Sequence, residues 1–238
     1  MVPAAKAIVN PIIVALDVPS AAEARALVER IGPRVNFYKV GLELYTATGM
    51  DFVRELLAAR KEVFLDLKFY DIPETVSRAV ARAAESGVRF LTVHAVGSVM
   101  RAAVAARAGS RLQILGVTVL TSFGPEDLDE LGYQGTIDEI VTRRARRAME
   151  LGVDGVVASP LEAARVRSII GPDALLVIPG VRSAGDDAGD QKRTGTPAQA
   201  IRDGASYLVI GRPITRAQDP AGEADRILFE IADGATAG

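Results

Sequence analysis

The chain has 238 residues, of which 49% are hydrophobic and 24% charged, a balance typical of a globular protein. Its 28 Lys and Arg residues are offset by 30 Asp and Glu residues, and the net charge of -2 excludes the basic footprint of a nucleic-acid-binding protein. Cysteine is absent and histidine occurs once, which excludes disulfides, thiolate chemistry and a histidine-based metal site. We predict neither a signal peptide nor a membrane span, and we expect a cytoplasmic protein.

Short apolar runs rich in β-branched residues recur along the chain and predict eight strands. They are IIVALD (12–17), NFYKVG (36–41), VFLDLK (63–68), FLTVHA (90–95), ILGVTVL (114–120), GVVAS (155–159), LLVIPG (175–180) and YLVIGR (207–212). Segments with helical spacing separate them, and two pairs at the predicted helix starts have the spacing of a capping box, Ser20 with Glu23 and Thr136 with Glu139. Three helix ends are predicted at glycines, namely Gly32, Gly87 and Gly152.

Strand and helix alternate eight times without a linker or a change in composition. Parallel strands need such crossovers, and this number in a chain of this length predicts an α/β fold of the (β/α)8 TIM-barrel type. The alternative, an open doubly wound sheet, lacks the Gly-x-Gly-x-x-Gly fingerprint here. We therefore expect a single domain over residues 1–238, with a barrel core at about 12–215 and a C-terminal helix after it.

Charged residues interrupt the apolar strands at their C-terminal ends. Alternation places Phe64, Asp66 and Lys68 on one face of the third strand, and this face must point into the barrel because the opposite face is continuously apolar. Asp17 ends the first strand and Lys39 lies near the end of the second. Three adjacent strands thus bring alternating charges to the end of the barrel where active sites are built.

The alternative interpretation of these charges is a structural salt-bridge network that closes the barrel. Burying unpaired charges is costly, and a well-packed apolar set usually stabilises a fold as well as ion pairs do. Four charges on three neighbouring strand ends, with Asp71 just beyond them, therefore favour a functional site.

The segment DLKFYDIPET, residues 66–75, resembles the signature of the orotidine 5'-monophosphate decarboxylase family. Asp-x-Lys-x-x-Asp is shared with related barrel enzymes, and the following Ile-Pro-x-Thr narrows the match. Further landmarks agree in order and spacing: Ala15-Leu-Asp17, Tyr38-Lys39-Val-Gly41, Leu120-Thr121-Ser122, Pro179-Gly180-Val-Arg182, Asp190-Gln191-Lys-Arg193 and Ile210-Gly211-Arg212-Pro213. The resemblance implies a homodimeric barrel that decarboxylates orotidine 5'-monophosphate to uridine 5'-monophosphate, the last step of its de novo synthesis, without metal or organic cofactor.

The resemblance also implies roles for single residues. Lys68 is expected to donate a proton to the ring carbon that loses carbon dioxide, and Asp66 to lie against the substrate carboxylate. Lys39 completes the catalytic set and also contacts the ribose, whose hydroxyls Asp17 binds. The remaining members of this end of the site come from the partner subunit: Asp71, which is catalytic, with Ile72 and Thr75.

The phosphate end is expected at the loops after the seventh and eighth strands, as in many barrels. Gly211 and Arg212 offer a backbone amide and a guanidinium suited to bidentate contact. Residues 180–196 form a long polar segment, either a plain surface loop or a lid that brings Arg182 and Gln191 onto the phosphate. Thr121 matches a ligand-contacting position of the family.

His94, the one histidine, is predicted to be a hydrogen-bonded barrel residue and not a catalytic one. Two alternative functions stay open. One is a metal-dependent sugar-phosphate decarboxylase or aldolase on the same scaffold, which a chelator would inhibit. The other is a catalytically silent sensor, which would bind nucleotide without turnover.

Overall fold

The computed structural model describes residues 10–183 and 193–236. Eight parallel strands close into a barrel in sequence order, which confirms the predicted (β/α)8 fold. The strands are β1 Ile12–Ala15, β2 Phe37–Gly41, β3 Glu62–Phe69, β4 Phe90–His94, β5 Gln113–Val117, β6 Gly155–Val157, β7 Leu175–Pro179 and β8 Tyr207–Ile210.

Helices connect the strands and surround the barrel. They are α1 Ala21–Ile31, α2 Leu42–Thr48, α3 Asp51–Ala58, α4 Pro73–Ser86, α5 Gly97–Ala106, α6 Pro125–Glu130, α7 Ile137–Glu150, α8 Ala163–Ile170, α9 Pro197–Arg202, α10 Arg212–Thr215 and α11 Pro220–Thr236, with short 3-10 turns at Gly32–Arg34 and Pro160–Glu162. No helix in the described part of the chain is long and apolar enough to cross a bilayer.

The predicted caps explain where two helices begin. Thr136 Oγ1 accepts the Glu139 amide at 3.2 Å, and the Glu139 carboxylate accepts the Thr136 amide at 2.8 Å, so α7 has a complete capping box. Ser20 Oγ accepts the Glu23 amide at 3.2 Å, but the Glu23 carboxylate bonds the Ser20 hydroxyl, so only half of that box forms. The helix ends predicted at glycines are confirmed by positive φ angles at Gly32, Gly87 and Gly152.

Two apolar layers meet at the strands, as the alternation on β3 predicts. Phe64 lies in the cluster that fills the barrel, whereas Val63, Leu65 and Leu67 pack between barrel and helices. The inner cluster is Ile13, Ala15, Phe37, Phe64, Phe90, Leu115, Val177, Tyr207 and Val209. Because this cluster packs the interior, polar side chains on the inward faces are displaced to the ends of the strands.

Four strands end clearly earlier than their apolar runs predict, and β4 and β7 end one residue earlier. β1, β5, β6 and β8 stop two or three residues short of the predicted ends. Asp17, Thr121 and Arg212 therefore lie on loops or a helix start beyond the strands, and not on the strands themselves. This gives the C-terminal end of the barrel a rim of connecting segments.

The end of β3 is irregular. Its pairing with β4 shifts register between Leu65 and Phe69, and Lys68 has a φ of 47°, in the left-handed region that side chains rarely adopt. The Lys68 amide donates to Thr92 Oγ1 on β4 at 2.9 Å, so a side chain takes the hydrogen bond that a regular ladder would make. The alternation pattern did not predict this irregularity.

Candidate active site

Four of the predicted charges form one continuous chain of contacts. Lys39 Nζ lies 2.8 Å from Asp17 Oδ1 and 3.6 Å from Asp66 Oδ2, and Lys68 Nζ lies 2.9 Å from Asp66 Oδ1. The register of β1, β2 and β3 produces this order, because Ala15 pairs with Lys39 and Gly41 with Asp66. The structure thus brings together Asp17, Lys39, Asp66 and Lys68, which we call the charge array.

Exposure changes along the charge array. The side chains of Lys39 and Asp66 are 8% and 14% exposed, whereas those of Lys68 and Asp17 are 31% and 56% exposed. Burial alone would raise the pKa of Asp66, but Lys39 and Lys68, with hydrogen bonds from Lys68 and Thr92, outweigh it and the pKa is lowered. The central carboxylate is therefore ionised at neutral pH.

Thr92 is a member of the site that sequence reasoning missed. Its fully buried side chain donates to Asp66 Oδ1 at 2.9 Å while accepting the Lys68 amide. The available signal was its place between Phe90 and His94 on the inward face of β4, where a polar side chain needs a partner.

Gly41 leaves the room that the first ion pair of the array needs. A Cβ atom at this position would lie 2.8 Å from Lys39 Nζ and 2.9 Å from Asp17 Oδ1. Any larger residue at the end of β2 would therefore push Lys39 Nζ and Asp17 Oδ1 out of their present positions.

A cavity of about 1030 Å³ opens above the charge array at the C-terminal ends of the strands. This volume is at the upper end of the range of about 300–1,000 Å³ for small-molecule sites. Eight predicted site residues line it: Asp17, Lys39, Asp66, Lys68, Thr121, Arg182, Gly211 and Arg212. The array and the expected phosphate end thus share one cavity, whose lining includes carboxylate, ammonium and guanidinium groups.

Three predicted residues lie apart from this cavity in the single chain. Asp71, Ile72 and Thr75 are exposed around the start of α4, with Ile72 66% exposed, and they do not line the cavity. Asp71 Oδ1 accepts the Ile72 amide at 2.6 Å.

The predicted lid falls largely outside the described residues, and so does Gln191. At its two ends, Val181 forms an isolated parallel bridge with Gly195, and the Arg182 amide donates to the Gly195 carbonyl at 3.0 Å. Arg182 is thus tied through its backbone to the segment before α9.

His94 differs from expectation in its contacts. Its ring centroid lies 5.4 Å from that of Tyr70, and the hydrogen bond expected for it is not seen among the described residues. Burial lowers the pKa of His94, and the positive charges of Arg144 and Lys68 lower it further. Among residues 10–183 and 193–236, no group of three or more His, Asp or Glu side chains is arranged to hold a metal ion.

Fold and site together define a barrel enzyme with a charged small-molecule cavity at the C-terminal ends of its strands. The model of the Orotidine 5'-phosphate decarboxylase / HUMPS family matches residues 10–227, and the chain belongs to this family. The resemblance seen in the sequence is therefore confirmed.

Individual relatives are similar to this chain over almost its whole length. The chain is 54% identical to the orotidine 5'-phosphate decarboxylase of Nitrobacter winogradskyi over 222 residues, covering 93% of this chain and 92% of the relative. It is 52% identical to that of Rhodopseudomonas palustris (strain ATCC BAA-98 / CGA009), with 93% of both chains covered. The crystal structure of orotidine 5'-phosphate decarboxylase from Lactobacillus acidophilus superposes with a TM-score of 0.82 at 36% identity, covering 93% of this chain and 99% of that one.

Proposed function

We propose that this protein is a carboxy-lyase that converts orotidine 5'-monophosphate into uridine 5'-monophosphate and carbon dioxide, with no metal or organic cofactor. The charge array carries the proposal, because it sets an ammonium and a carboxylate side by side at the base of a cavity. Family membership and the names of the relatives support the same reaction.

Lys68 is the proton donor. When the bond between the ring and the substrate carboxylate breaks, carbon dioxide leaves and the electron pair stays on the ring carbon. An ammonium beside that carbon stabilises the developing charge and then gives it a proton, which water later returns to the lysine. The exposure of Lys68, greater than that of Lys39 or Asp66, supports this role because its ammonium reaches the cavity.

Asp66 faces the substrate carboxylate, and its neighbours hold it in place. Lys39 and Lys68 flank it, and Thr92 adds a hydrogen bond at 2.9 Å, so the carboxylate stays charged in a buried setting. A charge fixed in this way needs no reorganisation during the reaction. Asp17 and Lys39, at the other end of the array, bind the ribose hydroxyls, and Thr121 contacts the ligand from the loop after β5.

The phosphate binds between the loops after β7 and β8. Arg182 and Arg212 supply guanidinium groups and Gly211 a backbone amide, and their place on the cavity wall supports this assignment. Gln191 is assigned to the same end from the family resemblance and lies outside the described residues. Binding energy from the phosphate can then be used to orient the reacting end.

An absorbance assay with orotidine 5'-monophosphate, run with and without a chelator, tests the function. We expect turnover that the chelator leaves unchanged. Turnover abolished by the chelator and restored by a divalent cation would favour the metal-dependent sugar-phosphate alternative. Binding of uridine 5'-monophosphate without any turnover would identify a silent sensor.

Asp71, Ile72 and Thr75 complete the site of a partner subunit in a homodimer. They are exposed and do not line the cavity of their own chain, which supports an action in trans. An isoleucine 66% exposed beside the barrel mouth also suits a subunit interface. We place this dimer in the cytoplasm, in keeping with the absence of cysteine.

Mixing two inactive variants tests the shared site. In a heterodimer of Lys68→Ala and Asp71→Asn chains, one site carries both changes and the other carries neither. Random exchange should restore about one quarter of the wild-type activity, because half of the dimers are mixed and each has one intact site. No recovery, despite subunit exchange shown by mass spectrometry, would mean that Asp71 serves its own chain.

A further inference from the structure

A second buried ion pair lies beside the cavity and outside the charge array. The side chains of Glu162, in the 3-10 turn after β6, and Arg193, before α9, are 3% and 10% exposed. The Arg193 guanidinium donates from Nη1 to Glu162 Oε1. The burial of both charges, away from the reacting groups, requires a physical reason.

The pair joins the segments that follow three successive strands. Arg193 Nη2 donates to the Leu120 carbonyl at 2.9 Å in the loop after β5. Glu162 Oε2 accepts the Ser159 amide at 3.1 Å directly after β6. Each charged side chain therefore holds a backbone group as well as its partner.

The third connection runs through Gly195, two residues beyond Arg193. Its carbonyl accepts the Arg182 amide at 3.0 Å, and it bridges Val181 after β7. Added at Gly195, a Cβ would lie 2.7 Å from Pro160 Cβ, so this backbone also packs tightly against the turn that carries Glu162.

Two residues that line the cavity are connected to this network through the backbone. Thr121 follows Leu120, whose carbonyl the pair binds, and Arg182 bonds Gly195 through its amide. We propose that Glu162 and Arg193 are a positioning pair that fixes Thr121 and Arg182 relative to one another. This role depends on the proposed function, because Thr121 and Arg182 are the ligand contacts which that function assigns to the loops after β5 and β7.

Stability alone is a weak reason for such a pair, because apolar residues of similar volume often replace buried ion pairs without loss. This suggests a variant that separates stability from positioning. The double change Glu162→Met with Arg193→Met keeps the volume and removes both charges with their bonds to Leu120 and Ser159. We expect it to remain folded, because removing two buried charges offsets part of the stability lost at the Leu120 carbonyl and the Ser159 amide.

Activity should nevertheless fall. We expect kcat/KM for orotidine 5'-monophosphate to drop about 10- to 100-fold in the double variant, the loss expected when one or two hydrogen bonds to a charged group are misaligned. The affinity for uridine 5'-monophosphate, measured by calorimetry, should fall by a similar factor. That binding measurement does not require turnover, so it tests the pair even if the proposed reaction is wrong.

A double-mutant cycle with Arg182→Ala distinguishes positioning from a general structural role. If the pair acts through Arg182, that substitution should cost much less in the double-methionine background than in wild type. Losses that simply multiply would overturn the proposal, and so would a double variant with wild-type kcat/KM and affinity.

The ion pair of Arg107 and Asp154 is the matched control. Its atoms lie 3.0 Å apart, its side chains are 23% and 19% exposed, and neither residue lines the cavity. Arg107→Gln with Asp154→Asn should leave kcat/KM within about twofold of wild type.

Arg193→Lys provides a second test if the methionine variant fails to fold. An ammonium can keep the bond to Glu162, but it cannot also make the second hydrogen bond, to the Leu120 carbonyl, as the guanidinium does. We therefore expect a partial loss of affinity for uridine 5'-monophosphate, and full retention would overturn the proposal.

Discussion

Replacing Lys68 with alanine removes the ammonium proposed to stabilise the carbanion and to protonate it. Loss of a general acid costs typically 10²–10⁴-fold, and loss of a fixed electrostatic donor about 10²–10³-fold. If both act on the same step, turnover should fall about 10⁴- to 10⁷-fold, equivalent to about 5–10 kcal/mol of transition-state stabilisation.

The folded state should survive this change. Asp66 keeps Lys39 at 3.6 Å and the Thr92 hydroxyl at 2.9 Å, and the lost Lys68 side chain is 31% exposed. We therefore expect a loss of about 1–2 kcal/mol in the free energy of unfolding, less than the 3–5 kcal/mol for breaking a fully buried pair.

Glycine at the same position is the matched variant. With φ at 47°, a residue bearing a side chain pays about 1–2 kcal/mol for the left-handed conformation, while glycine adds about 0.4–1 kcal/mol of unfolded-state entropy. Lys68→Gly should thus be more stable than Lys68→Ala by about 0.5–1 kcal/mol and equally inactive.

Three measurements on the two variants check this reasoning. Absorbance with orotidine 5'-monophosphate gives turnover, calorimetry with uridine 5'-monophosphate gives binding, and urea denaturation gives stability. Turnover within a hundredfold of wild type in either variant would remove Lys68 from its role. A variant that no longer folds would show that the ion pair with Asp66 matters more for stability than its partial exposure indicates.

The charge array could be predicted because period-two alternation and parallel strands leave little freedom. Once β3 has an apolar outer face, Asp66 and Lys68 must point inward, and parallel neighbours place Lys39 at the same end. Asp17 reaches the array although it lies beyond β1, because the loop follows directly from the strand. Side-chain alternation and strand direction can both be deduced from short stretches of the sequence.

The remaining features depend on pairings that no local pattern contains. Thr92 resembles any other strand threonine, and its importance follows from the irregular end of β3. Glu162 and Arg193 are 31 residues apart in sequence and meet only because successive loops converge on one rim. Asp71 does not line the cavity of its own chain, so the role proposed for it requires a second chain.

Two further substitutions test the polar groups of β4. Thr92→Val removes a donor to Asp66 and the acceptor of the Lys68 amide, so we expect a free energy of unfolding about 1–3 kcal/mol lower in urea and a lower kcat. Thr118→Val is the control. It removes a buried hydroxyl that donates to the Val157 carbonyl, and it should lower stability alone. His94 has a lowered pKa in the folded state, while the unfolded chain binds a proton near pH 6.5. As the pH falls, the unfolded state therefore takes up a proton on His94 before the folded state does. The contribution of neutral His94 to stability is complete above about pH 6.5 and is lost as the pH falls through the folded pKa. His94→Gln should flatten the pH dependence of the urea midpoint below about pH 6.5, and an unchanged slope would show that carboxylates alone cause the acid sensitivity.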